Sequence, residues 1–131
     1  PHPGEMSRLT GMPIPDIEKR REKIAADSAK EWGAEIILKG APSLVATTDG
    51  ALLVNTTGNP GMSTAGSGDV LTGVLAALVC QGVEARDAAI LGTYLHGLAG
   101  DVAAERFTPQ GMVAGDMVRC LPEAWRRLTG S

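Results

Sequence analysis

The 131 residues suffice for one domain that buries roughly two thirds of its surface, with hydrophobic residues at 44% and aromatics at only 3%, so the expected core is aliphatic. A net charge of −3, from 12 basic and 15 acidic residues without a basic stripe or aromatic platform, argues against a nucleic-acid binder. The longest strongly apolar run, Val74 to Cys80, is too short to span a bilayer, and no secretory leader is visible, so no membrane partner and a cytoplasmic location are expected.

In chain order, Pro3 to Leu9 reads as a short helix, with Pro3 suited to its first turn and Glu5 to the positive end of its dipole. Met12-Pro13-Ile14-Pro15 breaks it. Asp16 is expected to cap a longer helix with an apolar stripe of Ile17, Ile24, Ala25, Ser28 and Trp32, closed by Gly33. The basic run Lys19-Arg20-Arg21, like Arg126-Arg127 near the end of the chain, is expected on a solvated helix face. Glu35 to Lys39 suits a buried parallel strand. Ser43 to Thr48 and Ala51 to Thr56 read as two strands of a hairpin turning at Asp49-Gly50.

Thr57 to Gly68 is a loop carrying four glycines, and Asp69 to Gln81 is a helix apolar on nearly every side, hence expected to be deeply buried. A long helix from Ala85 to Arg106 follows. After a Thr108-Pro109-Gln110-Gly111 turn, Asp116 to Leu128 holds a last helical segment, interrupted near Pro122. Cys80 and Cys120 lie in apolar stretches without metal-ligand spacing and are expected to be buried thiols in a reducing compartment. This order implies an α/β layered architecture in a single domain, 1–131, with no repeat and no linker.

The informative stretch runs from Asn55 through Asn59-Pro60-Gly61-Met62-Ser63-Thr64-Ala65-Gly66-Ser67-Gly68 to Asp69. Glycines allow positive φ and close approach to a ligand. The amides of Ala65, Gly66, Ser67 and Gly68 would point outward at the start of the following helix, where unpaired N–H groups and the dipole attract anions. Asp69 is adjacent, so an anion hole and a carboxylate adjoin. That pairing suits phosphoryl transfer to a hydroxyl, the acid accepting the proton while the amides hold the phosphate. No GxxxxGK[ST] is present, and Leu71 replaces the third glycine of GxGxxG. Spacing alone also allows a plain glycine turn with Asp69 as a helix cap.

Asn59 to Gly73 (NPGMSTAGSGDVLTG) resembles the signature of the ADP/ATP-dependent NAD(P)H-hydrate dehydratases of the ribokinase-like superfamily. The opening Pro1-His2-Pro3-Gly4-Glu5-Met6, Leu38-Lys39-Gly40-Ala41 and Tyr94-Leu95-His96-Gly97-Leu98-Ala99-Gly100-Asp101 are similar to that family too, in family order. The resemblance implies a ribokinase-like layered sheet with flanking helices, of which this chain would be the C-terminal half, cut just after a strand. It implies a lyase that uses ADP or ATP, with Mg2+, to return hydrated NADH or NADPH to the normal cofactor by phosphorylating its 6-hydroxyl and eliminating phosphate. By motif match, His2 would contact the hydrated nucleotide; Lys39, Gly40, Ala41, Pro42, Ser43 and Gly68 the adenine nucleotide; Asp69 the substrate hydroxyl. Ser43 stands where the family pattern has Thr, which keeps the hydroxyl.

Outside those roles, His96 reads as a packed, hydrogen-bonded core histidine, Asp101 as a local packing or capping residue, and Asn59 as a turn former. Two other functions remain open: a ribokinase-like kinase that releases the phosphoester of a sugar or vitamin alcohol, and an inactive binding or assembly module. A homo-oligomer is expected, because a partial sheet exposes an edge and an apolar face.

Overall fold

The computed structural model describes all 131 residues, Pro1 to Ser131, and its backbone divides into two units, Pro1–Asn55 and Thr56–Ser131. In the first, helix α1 (Pro3–Thr10) is capped by His2: its Nδ1 accepts the Glu5 amide, while Glu5 returns a carboxylate to the His2 amide. Gly11, at φ 75°, closes it. The helix expected from Asp16 is instead two helices, α2 (Ile14–Lys19) and α3 (Arg21–Trp32), separated at Arg20. Pro13 rather than Asp16 precedes the first turn, because Pro15 is pre-set for helical φ and sits where an amide would have no partner. Gly33 ends α3 in the left-handed region as expected.

Strands β1 (Ile36–Leu38), β2 (Leu44–Ala46) and β3 (Leu52–Val54) form one sheet in that order, antiparallel throughout, with Ile37 opposite Val45 and Val45 opposite Leu53. The expectation of a parallel strand at Ile36–Leu38 is corrected. Only the turn Lys39–Ser43 joins β1 to β2, and a parallel connection needs a dozen or more residues. The hairpin is present, but the Thr47 amide donates to the Ala51 carbonyl, so its loop is Thr48-Asp49-Gly50, with Gly50 at φ 93°. Met6, Ile17, Ile24, Leu38 and Leu44 pack together as this unit's core.

The second unit holds α4 (Ser67–Cys80), α5 (Ala85–Phe107) and α6 (Ala114–Thr129) around Val74, Leu78, Leu95, Val102, Met117 and Cys120. The deep burial expected of α4 does not occur. Only Leu71, Val74 and Leu78, at i, i+3, i+7, are buried, because helices cover α4 along a single stripe; Val79 is 52% exposed. Cys120 is buried as expected, whereas Cys80 lies on the open side of α4 and is exposed.

Helix α6 starts before Asp116, whose carboxylate accepts the Val113 amide at 2.9 Å, and it runs through Pro122 without interruption. Arg127 is not merely solvated. It grips Glu105 of α5 through two hydrogen bonds of 2.8 and 2.9 Å and also donates to Glu123. No helix is long and apolar enough to cross a membrane.

Candidate functional site

The glycine loop of the second unit lies directly on α5. A Cβ at Gly97 would stand 2.8 Å from the Thr57 backbone carbon, and one at Gly100 would stand 2.6 Å from Met62 Cγ. Thr57 Oγ1 donates to the Tyr94 carbonyl at 2.8 Å. Asp101 accepts the Gly58 amide at 3.0 Å on Oδ2 and the Asn59 side-chain amide at 2.9 Å on Oδ1. Asn59 Oδ1 in turn accepts the Gly61 amide and starts the one-turn helix Pro60–Met62. Asp101 therefore acts across 43 residues of sequence, not locally as its position suggested.

Gly66, at φ 90°, turns the chain into α4. The helix begins at Ser67, two residues before the expected start, which places Asp69 in its first turn. Of the four amides expected in the anion hole, that of Ser67 already donates to the Thr64 carbonyl at 3.2 Å. The first helical bond runs from the Val70 amide to the Gly66 carbonyl, so Gly68 and Asp69 occupy first-turn positions that no intrahelical acceptor serves. His96, 8% exposed, places Nε2 3.0 Å from the Ser67 carbonyl and must donate there, in agreement with its reading as a hydrogen-bonded core histidine. Asp69 is exposed at the positive end of the α4 dipole. It heads a cavity of about 780 Å³, whose apolar walls include Val70, Val74, Leu121, Pro122 and Trp125.

The first unit brings together His2 and Lys39, two residues singled out by the resemblance. The Lys39 amide donates to the Pro1 carbonyl at 2.8 Å, and its ammonium lies 3.9 Å from the Glu5 carboxylate that caps His2. The His2 amide hydrogen bond, with further help from the Lys39 and His2 charges, holds the Glu5 carboxyl below its usual range. In the turn that follows, the Gly40 amide donates to Ser43 Oγ at 3.2 Å, and the hydroxyl donates back to the Gly40 carbonyl. The Ala41–Pro42 bond is cis.

Arg21 completes this turn, donating to the Pro42 carbonyl at 2.8 Å and reaching the Leu38 carbonyl at 3.4 Å. The reading of Lys19-Arg20-Arg21 as a solvated face is thus corrected for Arg21, since its partners lie 17 and 21 residues away and no local pattern announces them. The Asp101 clamp had a legible signal. Gly97, Gly100 and Asp101 share one helix face, and each mid-helix glycine costs about 0.5–1 kcal/mol relative to alanine, which implies a close neighbour.

Residues 1–123 match the family model of NAD(P)H-hydrate dehydratase. A bifunctional NAD(P)H-hydrate repair enzyme of Moorella thermoacetica is 52% identical over 128 residues, covering 98% of this chain and 24% of that protein. The crystal structure of the ADP/ATP-dependent NAD(P)H-hydrate dehydratase of Bacillus subtilis with ATP and Mg2+ superposes with a TM-score of 0.92 at 32% identity, covering 97% of this chain and 46% of that one. A ribokinase-like superfamily protein of Enterococcus faecalis gives a TM-score of 0.80 at 31% identity, over 97% of this chain and 43% of its own. The architecture is therefore α/β and ribokinase-like, and the chain spans less than half the length of each of these relatives.

Proposed function

Because the chain belongs to the NAD(P)H-hydrate dehydratase family, we propose that the protein carrying it dehydrates hydrated NADH or NADPH at the expense of ADP or ATP. The 131 residues are a part of that protein's dehydratase domain, a reading supported by their coverage of 46% of the Bacillus subtilis chain, and the order of the motifs makes it the C-terminal part. The observation that carries the proposal is Asp69, exposed in the first turn of α4 beside amides that no intrahelical acceptor serves.

In this reading the 6-hydroxyl oxygen attacks the terminal phosphorus of the nucleotide, the bond from that phosphorus to its bridging oxygen breaks so that the nucleotide leaves one phosphate shorter, and Asp69 takes the hydroxyl proton. The amide of Gly68, within the Ala65-Gly66-Ser67-Gly68 run, faces the charge that builds on the phosphoryl oxygens; losing one such donor costs about 10²–10³ in rate. The C–O bond then breaks, phosphate leaves with the electron pair, and the adjacent ring carbon gives up a proton to restore the double bond. Lys39, Gly40, Ala41, Pro42 and Ser43 hold the adenine nucleotide, and His2 contacts the hydrated nicotinamide nucleotide. Mg2+ would arrive with the nucleotide, keep several waters, and supply charge neutralisation at its phosphates. A reducing cytoplasm is the proposed setting, supported by the two free cysteines.

Incubating the complete reading-frame product that carries this chain with hydrated NADPH and ADP or ATP should restore absorbance in the reduced-nicotinamide band. No recovery removes the proposal. Release of a stable phosphoester from a sugar or vitamin alcohol would instead support a ribokinase-like kinase.

A second reading, self-association of this chain, is favoured by the cavity of about 780 Å³ and by Val118 and Trp125, 50% and 43% exposed on α6. Light scattering should then report a dimer or larger species; a monomer at all concentrations removes it.

A further inference from the structure

The segment Tyr94–Asp101 resembles its family too, yet nothing in the proposed reaction uses it. We propose that Asp101 is a positioning residue, which with Asn59 clamps the glycine loop onto α5 and thereby aims the amides at the start of α4. The inference deepens the phosphoryl-transfer reading and rests on it for its link to catalysis.

Four observations carry it. Both carboxylate oxygens of Asp101 are committed to the loop, one to the Gly58 amide and one to the Asn59 side chain. The loop lies against α5 where Gly97 and Gly100 leave no room for a Cβ, so the clamp closes on a fitted surface. Its far end is held by the same helix, through His96 on the Ser67 carbonyl, five residues or about 7.5 Å along the axis from Asp101. Immediately beyond the second anchor the chain delivers Gly68 and Asp69 to the first turn of α4. One rigid helix thus fixes both ends of the loop. A shift of about 1 Å in a reacting group can cost about 10²-fold in rate.

A carboxylate is required, because position 101 must accept twice and donate nothing. Asn would present an amide either to the Gly58 N–H or to the Asn59 NH2, losing one bond and setting donor against donor. Glu keeps both acceptors but displaces them by one methylene.

The test uses the complete reading-frame product with Asp101→Asn, Asp101→Ala, Asp101→Glu, Asn59→Ala and the Asp101→Ala/Asn59→Ala double variant. Hydrogen exchange is followed alongside kcat and KM. The expected result is a fall in kcat of about 10–100-fold for Asp101→Asn and Asp101→Ala, with KM for the nucleotide changed less than about threefold. Asp101→Glu should recover part of the loss. The double variant should be no worse than Asp101→Ala, because the two side chains act as one unit. In Asp101→Ala the Gly58 amide should exchange at least about tenfold faster, while amides of α5 keep their protection.

A purely structural role would lower kcat, nucleotide-binding stoichiometry and α5 protection together, and that outcome overturns the proposal. So does a kcat within about twofold of the parent in folded variants, or unchanged Gly58 exchange. If the unsubstituted protein shows no turnover, the dehydratase reading falls by itself. The clamp is then decided by Gly58 exchange alone, faster exchange supporting it and unchanged exchange overturning it.

Discussion

Arg21 Nη2 donates to the Pro42 carbonyl oxygen at 2.8 Å, so a side chain at the start of α3 fastens the far side of the Lys39–Ser43 turn. It also lies 3.4 Å from the Leu38 carbonyl at the end of β1. A planar guanidinium can serve two carbonyls at once where an ammonium serves as a point charge. Arg21→Ala should therefore cost about 1.5–3 kcal/mol of stability, the range for hydrogen bonds from a charged donor, and Arg21→Lys about half of that. If the turn holds adenine nucleotide, Kd for ADP should rise about tenfold in Arg21→Ala, a change of about 1.4 kcal/mol readable by calorimetry. An unchanged Kd in a folded variant would separate Arg21 from the nucleotide site.

Asp69→Asn leaves the shape of the first turn of α4 intact and removes the proton acceptor. Turnover of hydrated NADPH should fall about 10²–10⁴-fold. Stability should change by no more than about 1 kcal/mol, the usual worth of a carboxylate at a helix N-terminus. Steady-state kinetics paired with a thermal melt separates the two effects, and wild-type turnover in the variant would remove Asp69 from the chemistry.

Two glycines of the second unit should respond to alanine with opposite signs. At Gly97 a methyl would meet the Thr57 backbone at 2.8 Å, so Gly97→Ala should destabilise by about 1–3 kcal/mol through overpacking. Gly73, exposed on α4, has nothing within 4 Å of a built Cβ. There alanine gains helix propensity, and Gly73→Ala should stabilise by about 0.8–1 kcal/mol. Denaturant titrations read both; a Gly97→Ala variant no less stable than the parent would show that the loop does not press on α5.

Acid should loosen the molecule in a defined window. The carboxyls of Glu5, Glu105 and Glu123 are all held below their ordinary value of 4.5, Glu5 chiefly by the His2 amide and the other two chiefly by hydrogen bonds from Arg127. A carboxyl whose pKa is lower folded than unfolded adds stability that is fully present above the unfolded value and is lost as pH falls through the folded one. Thermal stability should thus be flat in these groups above about pH 5.5 and decline below about 4.5. Glu105→Gln should be less stable than the parent at neutral pH and converge with it in acid, as melts recorded across that range would show.

Much of the local structure was legible in the residues. Pro3 and Glu5 announced α1, Gly33 the end of α3, Asp49-Gly50 the hairpin, and the glycine run the turn into α4. The misreadings have identifiable causes. Pro13 and Pro15 outcompeted Asp16 for the start of α2. The direction of Ile36–Leu38 depended on the length of the turn after it, which outweighed its β-branched, parallel-looking composition. Pro122 was accommodated inside α6, whose last turns are tied by Glu123, Arg127 and Glu105.

The order of elements, the glycine turn ahead of Asp69 and the family resemblance were properties of the chain alone, because caps, turns and glycine conformations depend on residues a few positions apart. The grip of Arg21 on Pro42, of Asp101 on Gly58 and of His96 on Ser67 was decided only in three dimensions. Each joins groups 21 to 43 residues apart, and a side chain's partner at that distance is chosen by packing rather than by spacing.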